Sequence, residues 1–452
     1  MIIRVLLLLT LLTSCIFADI QIKYFNWGDY DKAKLQYNKS LGYTHVQCWL
    51  YFQENLYSHS TGKWIYNNGN YTTGGEVERF KTALKDIRDA GLIPIPQFAV
   101  FSHTKHLADK DNTLNSSERT YTQFNASYPK PVLATLSQIK SKFPCANSWS
   151  TQTDAFFVEV CEHVAYPGAL GENKAADEFF LEQLKIVKNN WGAGTPEHIF
   201  IDHDEFGVEC VSLVKVGRSA GRSQSESELV AMEIDARIQQ INSVFGNTPK
   251  VILYADCFVP NDYGETYKTA GDLSTGVGGV LNLLDTRYNL RSRIVLVPWK
   301  YSYCDGRFDT GRNLTINKLN EIAFIDKMKY NYFPLTGDDS DNSEDVKRNT
   351  FEYIRHSLHY PNYLIGFGTS TWTEYTSSTV HEGYSAPILA YLAWTYGERS
   401  LNLVRFNSYT PRIFSKLDFL KSRNERSWIE GIHYSRPPME GVLQCITKTV
   451  NN

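Results

Sequence analysis

This chain has no basic run and no basic surplus: 46 Lys and Arg stand against 49 Asp and Glu, a formal net charge of −3. A protein that grips phosphate backbones needs a cationic footprint, so nucleic acid is not an expected partner. Beyond the first residues, no apolar stretch approaches the length of a membrane span, so no transmembrane segment is expected. No two cysteines form a C-x-x-C pair, which leaves zinc ribbons and thioredoxin-type motifs without support. No motif in the chain calls for a metal or a cofactor, and neither is expected.

What the chain does have begins with a leader. Arg4 supplies a positive start, Val5–Leu12 a short apolar core, and Ala18 a plausible cleavage point, so residues 1–18 read as a secretory signal peptide. Leu12-Thr13-Ser14-Cys15 also resembles a bacterial lipoprotein box, which would anchor the chain through Cys15. Five glycosylation sequons, at Asn38, Asn70, Asn115, Asn125 and Asn313, tilt the balance toward a secreted or lysosomal glycoprotein. Seven cysteines remain after cleavage: Cys48, Cys145, Cys161, Cys210, Cys257, Cys304 and Cys445. In an oxidising compartment one or more bridges are expected and one thiol is left over. Cys145–Cys161, and Cys304 with a distant partner, are candidates that spacing does not decide.

Apolar runs of strand length alternate with helical patterns. Strands are expected at Ile20–Phe25, Thr44–Leu50, Leu92–Phe98, His198–Ile201, Val251–Tyr254, Ile294–Val297, Asn331–Pro334 and Tyr363–Gly366. Helices are expected at Gly75–Ala90, Asn173–Asn190, Glu226–Phe245 and Asn342–His359. Strand–helix alternation implies an α/β fold with a parallel sheet, and eight strands suggest closure into a (β/α)8 TIM barrel over residues 19–400. Ser102–Lys130 and Gly264–Val280 read as long irregular strand-end loops, and residues 401–452 as a C-terminal extension on the barrel.

The segment Pro196-Glu197-His198-Ile199-Phe200-Ile201-Asp202-His203-Asp204-Glu205-Phe206-Gly207 concentrates the chemistry. A β-forming run stops in three acids and a histidine, then turns at a glycine. Such groups are costly to bury and add nothing to a core. The C-terminal ends of barrel strands are where catalytic groups sit. Two adjacent carboxylates there can be driven apart in pKa, one ionised and one protonated. Other strand ends add to the pattern: His103 after strand three, Tyr254 and Asp256 at strand five, Trp299 at strand six. Tyr332 and Asp338 belong to strand seven, and Trp372 and Glu374 follow strand eight. Each has a plainer reading, as barrel packing or a helix cap, but together they describe an acidic pocket walled by indoles. Sugar cleavage needs that combination, carboxylates for proton transfer and flat aromatic faces for the ring. Asp202, His203 and Asp204 do not make a natural metal site, because consecutive residues of an extended chain point to opposite faces.

These motifs resemble those of the family 20 glycoside hydrolases, the β-N-acetylhexosaminidases, over most of residues 20–397. Asp204-Glu205 looks like the family's Asp-Glu pair at the end of strand four. Ile95-Pro96-Gln97-Phe98-Ala99-Val100-Phe101-Ser102-His103 resembles its I-P-E-x-D-x-P-G-H motif, with His103 on the histidine. Tyr254-Ala255-Asp256 is similar to a W-x-D/E step, and Val297-Pro298-Trp299-Lys300 to the strand-six tryptophan. Gly368 to Tyr375 looks like the terminal W-x-E motif, and Ala386 to Ala393 like the helix that follows it.

The resemblance implies a carbohydrate substrate, an N-acetylhexosaminide or related glycan, whose own acetamido oxygen attacks the anomeric carbon. Asp204 would orient the acetamido group, and Glu205 would act as general acid and then as base. Trp299 and Trp372 would wall the acetamido pocket, Glu374 would accept hydrogen bonds from sugar hydroxyls, and His103 would hold the carboxylate network. The chain also departs from the family. Gln97 and Ala99 replace the strand-three acids, Asp202 and His203 replace glycines, and Asn26-Trp27-Gly28-Asp29 lies where the family has an arginine. Two further readings stay open: a retaining glycosidase with Glu374 or Asp256 as nucleophile, and a catalytically silent carbohydrate-binding barrel.

Overall fold

The structure is a computed structural model that describes residues 23–28, 44–50, 52–58, 63–71, 75–98, 120–123, 132–135, 169–172, 174–201, 203, 223–255, 258–259, 279–300, 314–337, 357 and 360–371, with residues 32, 35, 36 and 39. Eight parallel strands form the barrel. They are β1 (Lys23–Gly28), β2 (His45–Leu50), β3 (Ile93–Phe98), β4 (His198–Phe200), β5 (Lys250–Tyr254), β6 (Ile294–Val297 and Trp299–Lys300), β7 (Asn331–Tyr332 and Leu335–Gly337) and β8 (Gly366–Thr371). Each strand pairs with its sequence neighbours, and β8 returns to β1 with Lys23 opposite Gly366, which closes the ring. Prolines interrupt β6 and β7, yet the register survives: Leu296 lies opposite Tyr332, and Trp299 opposite Leu335.

Helices α1 (Gly75–Asp89), α2 (Lys174–Asn190), α3 (Glu226–Phe245), α4 (Val280–Thr286) and α5 (Leu314–Lys327) alternate with the strands. Helix α3 starts where its sequence says it should. Ser225 Oγ accepts from the Glu228 backbone N–H while the Glu228 side chain accepts from the Ser225 backbone N–H, a capping box. At its other end Gly246, at φ 73°, takes a left-handed turn that glycine adopts without a steric penalty. Helices α2 and α3 are tied by a buried charged knot: the Arg237 guanidinium donates to Asp177 and to Glu233, each at 2.7 Å.

Strand alternation sorts the core into two layers. Outward residues such as Val46, Cys48, Phe98, Ile199, Leu253 and Leu296 pack against the helices. Inward residues Ile95, Phe200, Ile252, Tyr254, Val295, Val297, Phe333 and Leu335 fill the barrel. Strands buried on both faces read as near-continuous apolar runs, which is why most of them were legible in the sequence.

The structure differs from expectation in four places. Strand β8 lies later than Tyr363–Gly366, because Tyr363 ends a 3-10 turn and the strand runs through two glycines to Thr371. Gly368 fits a close approach there: a Cβ would sit 2.8 Å from Leu335 Cδ1 and 3.1 Å from the Phe333 ring, so those side chains would have to shift. Strand β1 runs past its expected end at Phe25, so that Asn26, Trp27 and Gly28 belong to it. Ser102–Lys130 is not wholly irregular, since Thr120–Gln123 pairs antiparallel with Val132–Thr135. Helices α4 and α5 were not anticipated. The helix expected at Asn342–His359 lies almost wholly outside the described residues, as do the leader, Cys145, Cys161, Cys304 and residues 401–452. Among the described residues, no helix is long and apolar enough to cross a membrane.

Candidate active site

The last inward residues of β3, β4, β5 and β6 form the floor of the barrel's C-terminal end. They are Gln97, Phe200, Tyr254 and Trp299. Phe200 and Tyr254 meet edge to face, with ring centroids 4.9 Å apart. Such aromatic pairs contribute about 0.5–1.5 kcal/mol beyond the area they bury. Trp299 is only partly buried and packs on this inner cluster, so an indole is available at its upper rim.

Gln97 stands out chemically. Its side chain is fully buried, and neither Oε1 nor Nε2 has a hydrogen-bond partner among the described residues. A buried amide left unpaired costs roughly 1–3 kcal/mol, and a position that tolerates this cost is a candidate for contact with a polar ligand. Gln97 is paired in register with Phe200, so its amide lies beside the strand that leads to Asp204 and Glu205. The sequence signal for it was its place at a strand end, where it was read only as the replacement of an acid.

Backbone geometry changes just before the acid pair. Ile201 still donates its N–H to the Ile252 carbonyl at 3.2 Å, so the β-ladder runs to that residue. His203 then sits at φ 73°, in the left-handed region. For a residue with a Cβ this conformation costs about 1–2 kcal/mol, and strain of this kind gathers at functional turns. The His203 ring is fully buried, with Nδ1 3.0 Å from the Ile201 carbonyl oxygen and its plane 6.2 Å from that of Phe258, centroid to centroid. Phe258 belongs to the outer core, so His203 turns away from the inner cluster, as strand alternation suggested.

Of the ten expected site residues, Tyr254, Trp299 and Tyr332 are described. Tyr254 and Trp299 are brought together at the inner floor. Tyr332 is not with them. It lies in the outer core, and its hydroxyl donates to the Tyr360 carbonyl at 2.7 Å and faces the Ser357 carbonyl at 3.3 Å. Its strand is interrupted after it, and alternation turns its ring toward the helices; Phe333 takes the inward place instead. A sugar-contacting role for Tyr332 therefore does not fit its position. Asp204, Glu205, His103, Asp256, Asp338, Trp372 and Glu374 lie outside the described residues. In the chain, Asp256 follows Ala255, whose N–H donates to the Val297 carbonyl at 3.0 Å. Asp338 follows Gly337, the last residue of β7, and Trp372 follows Thr371, the last residue of β8.

No family model matches this chain, and no curated protein matches it by sequence. Solved structures similar to it in shape include the catalytic domain of a β-amylase from Paenibacillus polymyxa, at 9% identity and a TM-score of 0.39, covering 77% of this chain and 91% of that one. A glycoside hydrolase family 5 enzyme from Prevotella bryantii, in complex with a xyloglucan oligosaccharide, has 9% identity and a TM-score of 0.42, covering 84% and 96%. A family 20 exo-β-N-acetylglucosaminidase from Vibrio harveyi, in complex with N-acetylglucosamine, has 11% identity and a TM-score of 0.39; the match covers 89% of this chain and 58% of that enzyme.

Proposed function

We propose that this protein is a secreted glycoside hydrolase acting on N-acetylhexosaminides with retention of configuration. In this reading Glu205 protonates the glycosidic oxygen and then serves as base toward water. Asp204 orients the substrate's acetamido group as its oxygen attacks the anomeric carbon. Trp299 offers its indole to the sugar, and Gln97 supplies an amide donor and acceptor from the floor.

The observation that carries the proposal is the end of the fourth strand. That strand runs in ladder to Ile201, His203 takes the left-handed conformation, and Asp204 and Glu205 follow next in the sequence. Beside it lies a floor holding one unpaired amide and two aromatic side chains with polar tips. Secretion rests on the leader and the sequons; Asn70, one of them, is exposed.

The test is hydrolysis of a chromogenic N-acetylglucosaminide by the wild-type chain and by Glu205→Gln. General acid–base catalysis contributes about 10²–10⁴-fold, and the variant is expected to lose at least the lower figure. Equal rates in the two proteins would remove Glu205 from the mechanism. The amide at Gln97, where the resembling motif carries an acid, favours a second reading, a carbohydrate-binding barrel without turnover. Calorimetric binding of N-acetylglucosamine oligomers with no hydrolysis of any of them would select that reading.

A further inference from the structure

At the opposite end of the barrel, strands β2 and β4 each begin with a histidine. His45 and His198 both face inward by strand alternation, and both are almost fully buried. They are first-row residues of two strands that flank β3. Inward residues of alternate strands share a layer in such barrels, so the two imidazoles meet, with ring centroids 5.4 Å apart and planes at 84°. Glu197, the residue before β4, adds a carboxylate. Its Oε2 lies 3.4 Å from His45 Nε2, and its Oε1 lies 3.7 Å from His198 Nδ1.

We propose that His45, Glu197 and His198 form a binding site for a divalent transition-metal ion, with Zn2+ the best fit. One ligand atom from each residue lies within 4.8 Å of the others. Tetrahedral zinc with bonds near 2.1 Å needs ligand atoms roughly 3.4 Å apart. Two contacts are already at or near that separation, and rotation of the carboxylate and rings closes the rest. Two imidazoles and one carboxylate are a borderline donor set that suits zinc and its neighbours rather than calcium or magnesium. Glu197 keeps 42% of its side-chain surface exposed, which gives an ion a path from solvent and room for water at the open position.

A second interaction orients the first histidine. His45 Nδ1 lies 2.7 Å from Thr44 Oγ1. With the Nδ1 proton donated to that hydroxyl, Nε2 presents its lone pair to the cluster, the arrangement that metal-bound histidines need. The place in the fold suggests what the ion does. Residues at the N-terminal face of a barrel serve stability rather than catalysis. Among the described residues β3 and β4 share a single laddered pair, Gln97 with Phe200, and an ion held by β2 and β4 would clip the two strands across β3.

The test uses the full chain after dialysis against a chelator. Calorimetric titration with Zn2+ is expected to show about one bound equivalent and a raised thermal midpoint. Co2+ in its place is expected to give the visible absorption of a nitrogen–oxygen site, with no thiolate charge-transfer band. Glu197→Gln and Thr44→Val, both confirmed folded by circular dichroism, are expected to weaken binding at least about tenfold. The proposal is overturned if the wild-type chain binds neither ion, if Glu197→Gln binds as the wild type does, or if cobalt shows thiolate ligation. Any of these outcomes would leave the three residues as an ion-pair cluster. None of the readouts depends on sugar hydrolysis.

Discussion

Among the described residues, Gln97 on β3 and Phe200 on β4 are the one pair through which these two strands are laddered. One register step earlier, the donor to the His198 carbonyl would be the nitrogen of Pro96, which carries no hydrogen. The barrel therefore sets its least-bonded seam beside the strand that leads to the acid pair, and the unpaired Gln97 amide lies on that seam.

Replacing the amide separates its two roles. Gln97→Leu removes a buried polar group without a partner, so thermal unfolding should show unchanged or higher stability, by about 1 kcal/mol. If the amide contacts sugar, substrate affinity should fall about tenfold in the same variant, read as a change in KM.

The knot between α2 and α3 should behave oppositely. Arg237 is buried against Asp177 and Glu233, and removing it leaves two carboxylates without their cation. Arg237→Ala is expected to cost about 3–5 kcal/mol in denaturant unfolding. Lys85→Ala, which breaks the exposed Lys85–Asp89 pair, should change stability by less than about 1 kcal/mol.

Alkaline pH should destabilise the fold. Burial pushes the phenols of Tyr66, Tyr330 and Tyr332 well above the ordinary tyrosine value of 10.0. The folded chain then keeps protons that the unfolded chain gives up. Stability is full below about pH 10 and falls as pH rises past it, by up to about 1.4 kcal/mol per pH unit for each tyrosine. Tyr332→Phe should flatten that slope in pH-dependent unfolding.

Cys48 should be chemically silent in the native state. Burial in the outer core raises its thiol to about 12, so almost no thiolate exists at neutral pH. Alkylation followed by peptide mapping should leave Cys48 unmodified until the protein is unfolded.

The barrel was legible because its strands follow one simple rule. Val251 to Tyr254 and Ile294 to Val297 are apolar on both faces and appear as short uniform runs between turns. Helix α3 was legible to the residue: its expected span, Glu226–Phe245, is the observed one. Strand β8 was misplaced for a physical reason: Gly366 and Gly368 look like turn residues, yet Gly368 is small because Leu335 and Phe333 press against it. Helix α4 hid behind a glycine-rich stretch that reads as loop. Tyr254 and Trp299 stand where the sequence puts them, at the ends of inward rows of their strands. Tyr332 does not fit because plain alternation turns it outward, like its partner Leu296, and leaves the inward place to Phe333. The cluster of His45, Glu197 and His198 was not legible at all, since register between β2 and β4 brings together residues 152 positions apart in the chain.

The prolines of β3 give the barrel something like a hoop's joint. On the other side of β4, backbone bonds to β5 hold three consecutive residue pairs in place. On the β3 side, the described pairing is Gln97 with Phe200 alone, and Ile95, Gln97 and Phe200 are fully buried beside it. A ligand that reached the Gln97 amide would therefore bind beside the seam where the described barrel carries fewest backbone bonds.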